Sequence, residues 1–315
     1  MAGQFAAGSS AGFRYVPEVT YGTTPATPSM VELRYTSCSM QLTKDAFQSA
    51  ELRSDRQIYG FKQGNQRGGG DVAFEFSWKE FDPFLEAACF GKWNSNVLKA
   101  SWDAETTPAK SNPVSSFSIE RSFSDIGQYQ VYKGVMVNSF SLSIKPNAMV
   151  TGSFNMLAKD VMAMSGTPLD SEPTASQAEL PYDGFSGTIK EGGTTIGLVT
   201  GLDIQLQNAL EPLFVLGNRN AAGITAGRSN LTGTVSAFFQ DTTMFNKFVN
   251  ETVSSVEIVL GNGTTKSYTI LIPRLVYSGS DTAVSGEGPI TLAMPFQALL
   301  DPTEQTNLKI SRTNT

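Results

Sequence analysis

Two carboxylate pairs, Glu80 with Asp82 and Asp203 with Glu211, come closest in this 315-residue chain to a general acid and its base. Their spacing is that of ordinary solvated charges, and no basic or nucleophilic group stands beside them to be activated. Histidine is absent. That removes the commonest general base, the commonest metal ligand and every nucleophile that depends on imidazole. The two cysteines, Cys38 and Cys89, have no metal-site spacing and are expected to be buried, reduced thiols. Three Asn-x-Thr triplets begin at Asn230, Asn250 and Asn262, but they matter only in a secretory pathway. With no charged-then-apolar leader and no apolar run of spanning length, the expectation is a soluble protein made in a cytoplasm, with no membrane partner. The densest charge cluster, Arg53, Asp55 and Arg56, reads either as a solvated face or as an ion-pairing surface for another subunit. No active site, metal site or cofactor site is expected, and an enzyme would need a pocket that nothing here announces.

The composition supports a different kind of protein. The chain is 40% apolar and 17% charged with a formal charge of −6, and its basic residues are scattered. Tight binding to nucleic acid through a phosphate-reading surface is therefore not expected. The length allows two domains of ordinary size.

The organising stretch runs from Gly70 to Gly91. Val72, Phe74 and Phe76 alternate with Asp71, Ala73 and Glu75, the period of a strand with one buried face. The period then changes: Phe81, Phe84, Leu85 and Ala88 share one face of a helix, with Asp82 as cap, Pro83 in the first turn and Gly91 as stop. A weaker copy lies further on. Val235, Ala237 and Phe239 repeat the strand at an offset of 163, and Phe245, Phe248 and Val249 repeat the helix at 164. Thr36–Leu42 matches Thr200–Leu206 at 164, and Val114–Ile119 matches Val253–Ile258 at 139, which leaves an insertion near Trp93 to Asn112 in the first copy. Four collinear matches point to two copies of one β-rich unit. The boundaries read as an N-terminal arm over 1–30, a first unit over 31–160, a linker over 161–182, a second unit over 183–302 and a tail over 303–315.

Within this frame the arm carries Phe13, Tyr15 and Tyr21 in a small polar context, either as a disordered leader or as a segment that orders against a neighbour. Tyr59 to Gly70 holds five glycines, among them Gly68, Gly69 and Gly70, and reads as a flexible hairpin loop or one ordered by another subunit. It lacks the Gly-Lys-Ser/Thr ending of a phosphate loop. Val114–Phe123 and Tyr129–Val137 read as a pair around Asp125-Ile-Gly127, and Phe140, Leu142 and Ile144 form one face of the next strand. In the second copy, strands within 184–206 turn at Glu191-Gly-Gly193, and Val256–Leu260 and Tyr268–Ile272 flank a tight Gly261-Asn262-Gly263 turn.

An arm ending Glu18-Val-Thr-Tyr-Gly-Thr-Thr-Pro25, the segment Ser49-Ala-Glu-Leu-Arg-Ser-Asp-Arg-Gln57, the Gly-rich stretch and the helix Phe81-Asp-Pro-Phe-Leu-Glu-Ala87 together resemble the major tail tube proteins of long-tailed, non-contractile bacteriophages. The likeness is clearest over residues 13 to 93. It implies a mainly β fold of two tandem tail-tube-like β-sandwich or barrel units, each with a short flanking helix. It also implies subunits that join their inner strands into a channel. Such tubes usually have six units per ring, so a tandem chain would close as a trimer with pseudo-sixfold symmetry. The partners implied are the chain itself, a tape-measure protein in the lumen, tail terminator and distal tail proteins, and phage DNA passing without specific binding. Lumen-facing residues should be polar and on balance acidic. Phe13, Tyr15, Tyr21, Arg53, Asp55, Arg56, Gly68, Gly69, Gly70 and Asn262 are the expected contacts between subunits. The alternatives are a tube protein of a contractile tail or bacteriocin-like particle and, in another class, a carbohydrate-binding or adhesive β-sandwich module.

Overall fold

A computed structural model describes residues 5–101, 114–185, 187–195, 199–261, 265–280 and 287–313. The fold is mainly β, and among the described residues eighteen strands belong to one hydrogen-bonded network. Its first half contains β1 (Ala11–Pro17), β2 (Gln41–Gln48), β3 (Phe61–Glu75), α1 (Asp82–Cys89), β4 (Phe117–Phe123), β5 (Gln128–Ile144) and β6 (Thr151–Ala158). The second half contains β7 (Thr188–Glu191), β8 (Val199–Gln207), β9 (Asn230–Phe238), α2 (Thr243–Val249), β10 (Ser254–Leu260), β11 (Tyr268–Tyr277) and β12 (Thr291–Ala298). A last strand, β13 (Lys309–Arg312), pairs with β11 and with the short strand Val97–Lys99.

The pairings repeat. In the first half the antiparallel order is β2-β3-β6-β5-β4-β1, and in the second it is β8-β9-β12-β11-β10-β7. The halves meet where Ser139–Ile144 of β5 pair with Leu202–Gln207 of β8. β5 reaches from one layer into the other: its first part pairs with β4, and beyond Gly134, at φ 61°, and a register shift near Val137 its second part pairs with β6 and β8. Gly134 meets a steric need as well as a torsional one, because a Cβ there would lie 2.7 Å from the Lys159 Cβ.

One buried core serves both halves. Phe74 stacks on Phe81 and Phe154 at 4.2 and 4.7 Å, and Phe84 on Phe117 at 4.7 Å. Burial of each such ring stabilises the fold by roughly 1.5–3 kcal/mol before conformational entropy is counted. Tyr268 from the second half inserts beside Phe76 and Trp78, both at 5.1 Å. The helices differ. α1 buries Phe84, Leu85, Ala87, Ala88 and Cys89, whereas α2 has no fully buried residue.

Several expectations change. The glycine-rich stretch is no loop: Gly68, Gly69 and Gly70 lie in β3 between β2 and β6. Glycine is needed there because a Cβ on Gly70 would meet the Ser39 carbonyl and the Met40 nitrogen, each at 2.6 Å. The exposed connection is 49–60 instead, at the end of the β2–β3 hairpin. The segment read as an arm supplies β1, paired along its length with β4. The segment read as a linker is pinned, since Met30 N–H donates to Asp170 and Leu169 N–H to Glu120. The tail supplies β13. Asp82 is the first residue of α1 and makes no capping bond. Trp102 and the tip Asn262-Gly263 lie outside the described residues.

Candidate functional site

The carboxylates that head the chemical inventory do structural work. Glu80 is buried, not solvated, and accepts from the N–H groups of Arg34 at 2.9 Å and Gln177 at 2.7 Å. Asp82 is buried too, held by the Tyr268 hydroxyl at 2.5 Å and by Arg312. Sequence spacing missed both because every partner is remote in the chain. Asp203 and Glu211 are exposed. Both cysteines are free; Cys89 is buried, and burial pushes its thiol up to about 12, while Cys38 is only partly covered. Among the described residues no cluster of Cys, Asp or Glu has the makings of a metal site, and no helix is long and apolar enough to cross a membrane.

What the fold builds instead is a continuous surface. β2, β3, β6, β5, β8, β9, β12 and the end of β11 lie side by side; on all but β2, which rests only Leu42 on the core, alternate residues are buried in it. Leu142, Phe154, Ile204, Val235 and Phe296 point inward. Their neighbours form the opposite face, because successive side chains on a strand alternate. The cross-strand rows on that face are Thr151, Ser143, Asp203, Thr234 and Pro295, and then Ser153, Ser141, Gln205, Thr232 and Gln297. The face is hollow: a groove of about 930 Å³ touches strands from β3 to β12.

Its chemistry is uniform. Hydroxyls and amides bond along the rows, Ser141 to Ser153 at 2.8 Å, Ser143 to Asp203 at 2.5 Å and Asn155 to Asp71 at 2.8 Å. Among the described residues Asp203 is the only charged one lining the groove, and no Lys or Arg lines it. Asp71 and Glu75 add negative charge toward the β3 side. Such a surface holds water, offers nothing to grip a phosphate and repels polyanions weakly. Among the described residues that line it there is no Cys, Lys or metal-ligand cluster.

The expected contact residues scatter. Phe13 and Tyr15 are 2% and 6% exposed inside the chain's own core, so the aromatics expected to meet a neighbour are used internally. Tyr15 sits 4.8 Å from Phe84. Tyr21 is half-buried with the Lys159 ammonium 5.1 Å from its ring. Arg53, Asp55 and Arg56 are together at the exposed hairpin end, where Arg53 pairs with Asp55 at 2.8 Å and lies 4.7 Å over Tyr59. Gly68, Gly69 and Gly70 are in the sheet, and Asn262 falls outside the described residues. The polar face had a signal: Ser139, Ser141 and Ser143 alternate with Phe140, Leu142 and Ile144. Only the pairing shows that seven further strands continue it.

In comparison with known families, residues 8–298 match the family described as phage tail tube protein. No curated protein matches the chain.

Proposed function

Because this chain belongs to the phage tail tube protein family, a structural component of the virion tail that associates with itself into a tube, we propose that it is the major tail tube subunit of a long-tailed, non-contractile phage. Three copies form a ring of pseudo-sixfold symmetry, and rings stack into the channel through which DNA passes at genome ejection. The polar face lines that channel. The observation that carries the reading is the eight-strand surface itself, built from two halves of equal connectivity, apolar on its core side and, along the groove on the other, hydroxylated, faintly acidic and without Lys or Arg among the described residues.

Eight strands from each of three chains, spaced ~4.8 Å apart and tilted roughly 35–45°, close a barrel on the order of 40–50 Å between opposite backbones. Barrels with fewer strands already hold an aqueous channel. A lumen of this lining lets a tape-measure protein leave and DNA slide without specific binding, while terminator and distal tail proteins close the two ends. Negative-stain microscopy of the purified chain, with mass determination in solution, tests the reading. Rings or tubes with a central channel and three chains per ring support it. Six chains per ring would remove the pseudo-sixfold arrangement, and a glycan-binding monomer that never assembles, even on an initiator complex, would remove the tube.

A further inference from the structure

The sheet has one internal junction and two unfinished edges. β2 bonds only to β3, and the short strand Ser37–Cys38 before it does the same, so their outer edge is open among the described residues. At the other end β11 finishes at Tyr277, yet Ser278 N–H still donates to the Pro295 carbonyl at 2.8 Å, continuing the strand beside β12. Its opposite side faces no described strand beyond Leu275. Open edges are templates for strand addition.

The repeat says what belongs there. Val72 pairs with Cys38 as Val235 pairs with Leu202, so Cys38 corresponds to Leu202, and Leu42 and Thr43 correspond to Leu206 and Gln207. Leu157 pairs with Met136 as Gln297 pairs with Val276, and Asn155 pairs with Ser139 as Pro295 meets Ser278. The open edge of β2 therefore corresponds to the edge of β8 that is paired, and the open edge past β11 to the part of β5 that pairs with it. At the internal junction Ser139, Phe140 and Ser141 stand opposite Gln207, Leu206 and Gln205.

We infer that a second copy of this chain closes the seam in the same register: Ser278, Gly279 and Ser280 of one copy run antiparallel to Thr43, Leu42 and Gln41 of the next. This rests on the self-assembly proposed above and adds which strands meet and in which alignment. Apolar side chains flanking the edges agree. After β8, Leu210 is buried against Met136 and Phe90. The matching stretch of β2 carries Phe47, 60% exposed, and Val276, the counterpart of Met136, is half-buried. Pairing with β3 already fixes Leu42 toward the core and Gln41 and Thr43 away from it, so a slip of one residue at the seam would set the polar face of one copy level with the core face of the next, and the register is strongly specified.

Disulfide trapping in assembled protein tests the alignment. In a Cys38→Ser background, Thr43→Cys with Ser278→Cys is assembled under reducing conditions and then oxidised; Gln41→Cys with Ser280→Cys is the second matched pair. Each should give a covalent ladder ending at one ring's complement of chains. Thr43→Cys with Ser280→Cys, on the same face but two residues out of register, should link at least about tenfold less. Equal linking by the mismatched pair, or none by either matched pair in rings that form normally, overturns the seam and leaves the tube reading standing. Failure of the unsubstituted protein to form any ring, even on an initiator complex, removes the tube reading, and the seam with it. Unsubstituted protein gives an independent check: the amides of Gln41–Thr43 should exchange about tenfold or more slowly in rings than in the dissociated chain. Unchanged exchange would refute the pairing whatever the cysteine variants do.

Discussion

Removing Arg312 should loosen the grip between the two halves by an amount the geometry sets. Asp82, at the start of α1 in the first half, is held by the Arg312 guanidinium and the Tyr268 hydroxyl, both from the second half. The Asp82 and Arg312 side chains are 12% and 17% exposed. Breaking a fully buried ion pair by removing one partner costs about 3–5 kcal/mol. Partial exposure and the surviving Tyr268 bond cut that to roughly 2 kcal/mol. Arg312 also lies 4.4 Å over the Trp93 ring, a contact contributing about 0.5–1 kcal/mol. Arg312→Gln should therefore cost about 2–3 kcal/mol, and Tyr268→Phe, which removes only the hydroxyl, about 1–2 kcal/mol. The assay is urea unfolding of the dissociated chain, monitored by tryptophan fluorescence. Combined with Asp82→Asn, the arginine change should cost at least ~1 kcal/mol less than the sum of the two single changes. Strict additivity, or a loss below ~0.5 kcal/mol for Arg312→Gln, would refute the argument that this cluster joins the halves.

Gly70→Ala should lower stability by about 1–3 kcal/mol, because the new Cβ meets backbone atoms of Ser39 and Met40 that cannot rotate away; an unchanged urea midpoint would contradict this. Asp71→Lys with Asp203→Lys alters only exposed positions of the polar face. Rings should form as before but retain duplex DNA in a salt-sensitive way, and filter retention no greater than that of the natural protein would count against the channel lining. Burial raises the Glu120 carboxyl above its ordinary range, opposed by Leu169 N–H and Arg14. A raised folded-state value means stability present below the unfolded pKa and lost as pH climbs through the folded one. Relative to Glu120→Gln, the natural protein should thus lose stability on going from acid toward neutral pH, and parallel pH profiles would refute that.

The interior of the two repeats was legible because alternation is a local signal. Val72, Phe74 and Phe76, and again Phe140, Leu142 and Ile144, announce their strands without help, and Phe84 and Leu85 announce α1. Where the reading departed from the structure, a distant partner decided. The glycines of β3 read as a loop by composition, yet close approach of the Ser39 and Met40 backbone on one side and of β6 on the other is what requires them. β1 carries a visible alternation of Phe13 and Tyr15 around Arg14, but its pairing partner begins at Phe117. Glu80 and Asp82 read as solvated because Gln177, Tyr268 and Arg312 lie far along the chain. The polar face stood between these cases. Each row was written into its own strand, and the surface exists only once β5 and β8 are joined.

That join also has kinetic weight. Ser139–Ile144 and Leu202–Gln207 meet within one polypeptide, so one contact of every pair of units forms at an effective concentration in the millimolar range whatever the protein's abundance. A ring assembled from such tandem chains needs half as many encounters as one assembled from single units. Nucleation should then climb less steeply with concentration, and the covalently joined contact cannot dissociate during assembly. The same tether lets the halves diverge: α1 is sealed inside the molecule, while α2 rests Met244 and Phe248 on the core and leaves Phe245, 37% exposed, and Val249, 57% exposed, toward solvent.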